Sequence, residues 1–238
     1  MITVFVNIPE EYLKSERVHN GFSFEYNDQI YNSRFDVINK IIWGGGNVID
    51  LGCVGYIPNI SKAIENNVYL HAILTDKCGN VLGVDIDSDG INYVKDLGYN
   101  NVIKADIIRD SDTIKGWFGD EKVDFMVMGE MLHEIDDPIG FLSQIRQNYT
   151  GFIRQIVITV PNIYRYSNII NGLSGKDINH TENRCWFSPY TLCKTLACSG
   201  IRPKEIYLAG RLKGKKGFLL GLFKKNICAE HIVLVGEI

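Results

Sequence analysis

Apolar and polar positions along this chain change period in a regular way from residue 47 onward. Short apolar runs recur between longer stretches whose apolar residues fall three and four apart. The runs predict strands at residues 48–51, 81–85, 101–105, 123–128 and 153–160. The intervening stretches predict a helix within 60–77, carried by Ile60, Ile64, Leu70 and Ile73, and further helices at 88–97, 112–118 and 138–148. Ser88 or Asp87 is placed to cap the second helix, and Pro138 sits in the first turn of the last. Residues 123–128 form a near-continuous apolar run, as expected of a strand covered on both faces. Strand and helix alternating at this spacing predict a parallel sheet with right-handed crossovers.

The flanks break this rhythm. Residues 10–18 and 35–42 read as helices, the second with Phe35, Ile38 and Ile42 on one face and Trp43-Gly44-Gly45-Gly46 ending it. Between them Phe22-Ser23-Phe24-Glu25-Tyr26 alternates as a short strand or forms an aromatic lid. Residues 1–46 are therefore expected to form an N-terminal cap or lid, and 47–238 the main domain. After Pro161 the stretch 162–184 is polar and carries Gly172 and Gly175, which suits a lid or substrate loop inserted over about 162–187. A helix is expected at 188–198, capped by Ser188 with Pro189 in its first turn and closed by Gly200, then strands at 204–208 and 231–235.

Composition narrows the classes. At 238 residues with 45% apolar content, the chain fits one α/β domain with additions. A net charge of −3 gives no global pull toward nucleic acid or anionic membrane. The six cysteines, at 53, 78, 185, 193, 198 and 228, form no Cys-x-x-Cys pair, so neither a zinc ribbon nor a thioredoxin motif is signalled. The apolar start Met1–Pro9 lacks a basic lead and is too short for a secretory leader. Reduced thiols in a cytoplasmic protein are the expectation, and no run reaches the length of a membrane span.

Candidate chemistry gathers where predicted strands end. Val48-Ile49-Asp50-Leu51 runs into Gly52-Cys53-Val54-Gly55-Tyr56, and Val81-Leu82-Gly83-Val84-Asp85 gives a second acidic strand end at the expected distance. In an open α/β sheet such a strand-to-helix turn is where a nucleotide-like ligand sits, and glycine lets the backbone approach it.

The order of landmarks resembles the class I S-adenosylmethionine-dependent methyltransferases, in the branch acting on small molecules, glycans or lipids. The resemblance covers about residues 47–200 and rests on Asp50-Leu51-Gly52-Cys53, Gly83-Val84-Asp85-Ile86-Asp87, Lys104-Ala105-Asp106, the segment Gly129-Glu130-Met131-Leu132-His133-Glu134, and Trp186-Phe187-Ser188-Pro189 leading a helix. It implies an α/β, Rossmann-like three-layer sandwich: a seven-stranded, mostly parallel sheet with an antiparallel last strand. Where the family commonly alternates glycines after the first acid, this chain has Val54 and Tyr56, and a valine does not readily take a positive φ.

The resemblance also implies roles. The backbone of Gly52, Cys53 and Gly55 faces the amino-acid part of the cofactor. Asp50 suits its ammonium, and Asp85 the ribose diol. Asp106 suits the adenine amino group, with Ile86 and Ile107 sandwiching the ring, and Gly129 and Glu130 wall the methionine moiety. His133, Glu134 and His180 are the candidates to take a proton from a hydroxyl or amine acceptor. A more ordinary role stands beside each: an acid at a strand end also caps helices, and His133 and Glu134 also serve to brace a loop. Asp87, Asp136 and Asp137 are read as helix caps, and Tyr164, Arg165 and Tyr166 as packing or acceptor contacts. No metal-ligand spacing stands out, so no metal is expected.

The acceptor is a small molecule, glycan or lipid-linked compound. Nucleic acid is not expected, because no Asn-Pro-Pro-Tyr-like element follows the fourth strand. The basic and apolar stretch 211–225 suits either a core-packed crossover or peripheral contact with a membrane. Two other readings stay open: a nicotinamide-dependent oxidoreductase, which lacks its Gly-x-Gly-x-x-Gly spacing here, and a non-catalytic binding protein on a methyltransferase scaffold.

Overall fold

The computed structural model describes residues 6–23, 30–210 and 226–238. The segments 24–29 and 211–225 lie outside it, and with them most of the Phe22–Tyr26 run and the basic stretch considered for membrane contact.

In chain order the elements are α1 (Glu10–Leu13), β1 (Ile30–Tyr31), α2 (Arg34–Ile41), β2 (Asn47–Leu51), α3 (Ile57–Glu65), α4 (Leu70–Lys77), β3 (Asn80–Asp85) and α5 (Ser88–Asp96). They continue with β4 (Val102–Lys104), α6 (Ser111–Phe118), β5 (Val123–Gly129), α7 (Pro138–Tyr149), β6 (Ile153–Pro161), α8 (Tyr166–Leu173), α9 (Pro189–Cys198), β7 (Arg202–Ala209) and β8 (His231–Glu237). One sheet runs in the order β1-β7-β8-β6-β5-β2-β3-β4. β8 is antiparallel to both neighbours, β6 and β7, and every other pair is parallel. The expected parallel sheet with an antiparallel last strand is present, with one addition: the two-residue β1 lies beside β7 and makes eight strands.

Alternation along the strands explains the layers. Ile49 and Leu51 of β2 enter one core with Met126 and Met128 of β5, under Ile114 of α6, Leu142 of α7 and Leu196 of α9. Val48 of β2, Val81 of β3 and Val127 of β5 face the other way, against Val37 and Ile38 of α2 and Leu74 of α4. A third cluster packs Ile60 of α3 and Ile91 and Val94 of α5 against Val102 of β4.

Three expectations change. The helix expected within 60–77 is two, because Asn67 takes φ +55° between them, a conformation asparagine tolerates and one that ends α3. The segment expected as a loop over 162–184 contains α8, whose apolar residues Ile169, Ile170 and Leu173 stay largely exposed. The helix expected over 10–18 closes at Leu13, and Ser15 sits at φ +61° just beyond it. Helix α9 begins as read: Ser188 accepts from the Thr191 backbone N–H and the Thr191 side chain answers at the Ser188 N–H. Cys53, Cys78, Cys185, Cys193 and Cys198 are free thiols. Among the described residues no helix is long and apolar enough to cross a membrane.

Candidate active site at the carboxyl ends of the strands

The acids sit where the parallel strands end. Adjacent strands β2, β3 and β4 carry Asp50, Asp85 and, two residues past β4, Asp106. The turn after β2 resolves the problem posed by Val54. Gly52 and Gly55 take φ +76° and +61°, while Val54 keeps an ordinary negative φ. Val54 is buried against Gly90 of α5, where an added Cβ would lie 2.3 Å from a Val54 methyl. Tyr56 caps α3 and is 69% exposed.

Behind this turn lies a pocket of about 190 Å³ whose lining includes Asp50, Gly52, Gly55, Tyr56, Gly129 and Arg34. Cys53 also lines it, but its thiol is buried and its pKa pushed far up by desolvation, while its carbonyl accepts from Tyr69 Oη at 2.9 Å. A larger cavity, about 560 Å³, lies at the opposite end of the sheet near Ile8, Leu13, Ile201 and Lys204, away from the acids.

Asp50 is nearly fully buried and its Oδ2 lies 3.0 Å from His71 Nδ1 on α4. The sequence provides for this pair at Gly83, the β3 residue in register with Asp50: a Cβ there would lie 2.7 Å from the imidazole. His71 Nε2 lies 3.2 Å from Asn101 Oδ1, and that amide is oriented by its Nδ2 donating to the Val81 carbonyl. Both ring nitrogens therefore face side-chain oxygens.

Asp85 is half-buried and braces the glycine turn. Its Oδ2 accepts from Val54 N–H at 3.1 Å and its Oδ1 from Asp87 N–H at 3.0 Å. A carboxylate has about four lone-pair sites, so two remain for a ligand. Asp106 accepts from the N–H groups of Ile108 and Arg109 and so organises the turn into α6. The two isoleucines do not form the matched slot expected: Ile86 is 71% exposed, but Ile107 is 4% exposed and belongs to the core. Ile107 turns inward because its neighbour Asp106 takes the rim position.

Glu130 follows β5 at φ +56°, uncommon for a residue with a Cβ. Bonds hold it there: its N–H donates to the Thr159 carbonyl and lies near Thr159 Oγ1, while Oε1 accepts from Thr159 Oγ1 at 2.9 Å and faces His231 Nδ1 at 3.2 Å. Burial pushes the Glu130 carboxyl up, but the hydrogen bond from His231 and the charge of Arg34 outweigh it, and the net shift is downward. Arg34 reaches the same cluster from the first turn of α2 and donates to Thr159 Oγ1 at 3.2 Å. Burial lowers the Arg34 pKa, opposed by the charges of Glu130 and Asp50. Arg34, His71, Thr159 and His231 were not legible as site residues. For Arg34 the one sequence signal was Ser33-x-x-Asp36, the capping box that sets α2 beginning at that residue.

His133 is buried, and its ring nitrogen Nδ1 has no hydrogen-bond partner. Burial holds its pKa below the ordinary imidazole value. Nε2 lies 3.7 Å from Glu134 Oε1. His180 is exposed, and its Nδ1 lies 3.5 Å from Glu182 Oε2. Asp87 and Asp137 are caps, accepting from Asp89 N–H and Gly140 N–H, whereas Asp136 pairs with Arg184 at 2.8 Å. Arg165 stacks on Trp186 at 4.8 Å, and Tyr164 is 42% exposed.

Seven parallel strands with an antiparallel β8, acids on successive strand ends and a glycine turn after the first form the Rossmann-like α/β arrangement that the sequence resemblance implies. Residues 66–148 are similar to the family model described as a methyltransferase domain. The matched stretch holds Asp85, Asp106, Glu130, His133 and Glu134 but not Asp50 or Gly52. No curated protein matches the sequence. Among solved structures, the small RNA methyltransferase HEN1 aligns with a TM-score of 0.58 at 11% identity, over 93% of this chain and 27% of that one, so this chain spans about a quarter of HEN1. An S-adenosylmethionine-dependent methyltransferase from Clostridium acetobutylicum aligns at 0.54 and 11% identity, over 89% of this chain and 93% of that one. The cyclase SpnF aligns at 0.52 and 14% identity, over 93% and 88%. At these identities the likeness is one of fold, and a fold shared with a cyclase does not fix the reaction.

Proposed function

We propose that this protein transfers a methyl group from S-adenosylmethionine to a hydroxyl or amine of a small molecule, glycan or lipid-linked acceptor. The observation that carries the reading is the pairing of opposite charges in one pocket. Asp50 and Arg34 both line the space beside the Gly52 turn. An α-amino acid tail carries an ammonium and a carboxylate, and such a pocket offers a partner to each. Asp85, at the end of the neighbouring strand with acceptor capacity left, suits a ribose diol. Gly52 takes φ +76° and a Cβ there would come within 3.2 Å of Met131 Sδ, so the turn requires glycine at this position.

The cofactor supplies an electrophilic methyl on a sulfonium. The chain's residues hold and orient the reactants, and positioning of this kind accounts for much of the acceleration in such displacements. His133 takes the acceptor's proton: burial holds its pKa below the ordinary imidazole value, so its ring stays neutral near pH 7. Titration calorimetry tests the reading. S-adenosylmethionine should bind and NAD should not, and S-adenosylhomocysteine should appear once an acceptor is supplied. Binding of NAD alone would favour the oxidoreductase, and cofactor binding with no product from any acceptor would favour a binding protein.

A further inference from the structure

His231 opens β8 at the rim where β5 and β6 end, because β8 runs antiparallel and its first residue pairs with Pro161, the last of β6. Its Nδ1 lies 3.2 Å from Glu130 Oε1. Residues of β6 and α2 fix that carboxylate. Thr159 Oγ1 donates to the same Oε1 at 2.9 Å, Arg34 donates to Thr159 Oγ1 at 3.2 Å, and the Glu130 N–H donates to the Thr159 carbonyl at 3.0 Å. Glu130 itself sits at φ +56°. That backbone is costly for a residue with a Cβ, and it persists where the surroundings hold it.

The two nitrogens of the His231 ring are not treated alike. A carboxylate only accepts, so Nδ1 carries the proton, and in the neutral ring Nε2 keeps its lone pair. Among the described residues nothing pairs with Nε2, and the side chain is 32% exposed at the rim. His71 shows the opposite arrangement. It is fully buried, and its two nitrogens face Asp50 and Asn101. An imidazole that serves packing alone is closed off on both sides in this way, whereas His231 is anchored on one side and open on the other. The 3₁₀ turn carrying His133, Leu132–Glu134, begins two residues after Glu130, so both imidazoles stand at the end of β5.

We propose that His231 Nε2 holds the methyl acceptor by accepting a hydrogen bond from an O–H or N–H other than the one that reacts, and that Glu130 is its positioning residue. Glu130 fixes the tautomer and the plane of the ring. The bond from Nδ1 to a carboxylate also polarises the ring and strengthens Nε2 as an acceptor. The labour is divided: His133 takes the proton of the reacting group, and His231 sets where that group stands. The acceptor therefore carries a second donor, which favours a sugar or an amino alcohol over a simple alcohol. Contact with the acceptor rests on the methyltransferase reading; the Glu130–His231 pair does not.

Proton–nitrogen correlation spectra of the full chain, labelled in its histidine rings and free of ligand, test the pair. In alkaline buffer, where the ring is neutral, His231 should be the Nδ1–H tautomer. Glu130→Gly, which suits the positive φ, should shift it toward Nε2–H. An Nε2–H ring in the wild type, or the same spectrum in the variant, overturns the pair. Turnover of a panel of sugars and amino alcohols, read as S-adenosylhomocysteine formed, tests the contact. His231→Asn keeps a donor for Glu130 and removes the outward lone pair, and melting curves establish that it folds. Its KM for the panel member that reacts should rise about three- to tenfold, the loss of one hydrogen bond, with kcat changed less. An unchanged KM, or a loss confined to kcat, overturns the contact. No product from any member, with His231 in its Nδ1–H form, overturns the methyltransferase reading and the contact with it while the pair stands.

Discussion

Asp50 on β2 and His71 on α4 form a buried pair, Oδ2 to Nδ1 at 3.0 Å, with side chains 2% and 0% exposed. The acid expected to meet a ligand's ammonium is thus also held from beneath by an imidazole. Replacing His71 with leucine would leave that carboxylate buried and underpaired and would free Asn101 Oδ1. The variant is expected to lose about 1–3 kcal/mol of stability in urea denaturation, the usual cost of orphaning a buried polar group. An unchanged midpoint would show that the pair contributes nothing to folding.

Arg34 gives a test specific to one part of the cofactor. In Arg34→Met, affinity for S-adenosylmethionine should fall by about 1–3 kcal/mol, the scale of a charge-assisted hydrogen bond. Affinity for methylthioadenosine, which lacks the amino-acid tail, should stay the same. Equal losses for both ligands would mean that Arg34 acts on the pocket as a whole through Thr159 and Glu130, to which it is linked.

How much of this was legible depended on where each residue lies. Asp85 and Glu130 follow strands that the apolar runs announced, so their places at the rim could be read. His71 and His231 meet their partners across α4 and β8, and nothing local in the sequence records which strands become neighbours. Arg34 comes from before the repeating pattern, on a helix recognisable by its apolar face but with no sign that its first residue reaches β6. Ile107 was misread because strand-end residues alternate between rim and core, and a one-residue step decides between them.

The pH dependence follows from His133. Burial holds its folded pKa below the ordinary 6.5, with Glu130 opposing. The folded protein therefore binds this proton less well than the unfolded chain does. Its contribution to stability is complete above about 6.5 and is lost as pH falls from there toward the folded value. Activity that needs the neutral ring should rise with pH through a midpoint below 6.5 and then level off. His133→Asn should remove that limb of the kcat/KM profile. A limb with its midpoint above 6.5, or one that survives in the variant, would take the proton-accepting role away from His133.

Gly90 tests the packing that lets Val54 stand in the turn. A Cβ there would lie 2.3 Å from a Val54 methyl and 2.7 Å from Asp87 Oδ2. Gly90→Ala is expected to cost about 1–3 kcal/mol by overpacking, and Gly90→Ala with Val54→Ala to recover part of it. Thermal denaturation of the three variants decides; strictly additive losses would mean that the two residues do not press on each other.

The most direct test is calorimetry of S-adenosylmethionine with the wild type and with Asp85→Ala. The wild type should bind the nucleoside, and the variant, folded by circular dichroism, should bind on the order of 1–3 kcal/mol more weakly, since it loses both a ligand contact and the brace on Val54. No heat from the wild type, or equal affinity in a folded variant, would contradict the assignment of this strand rim as a cofactor site.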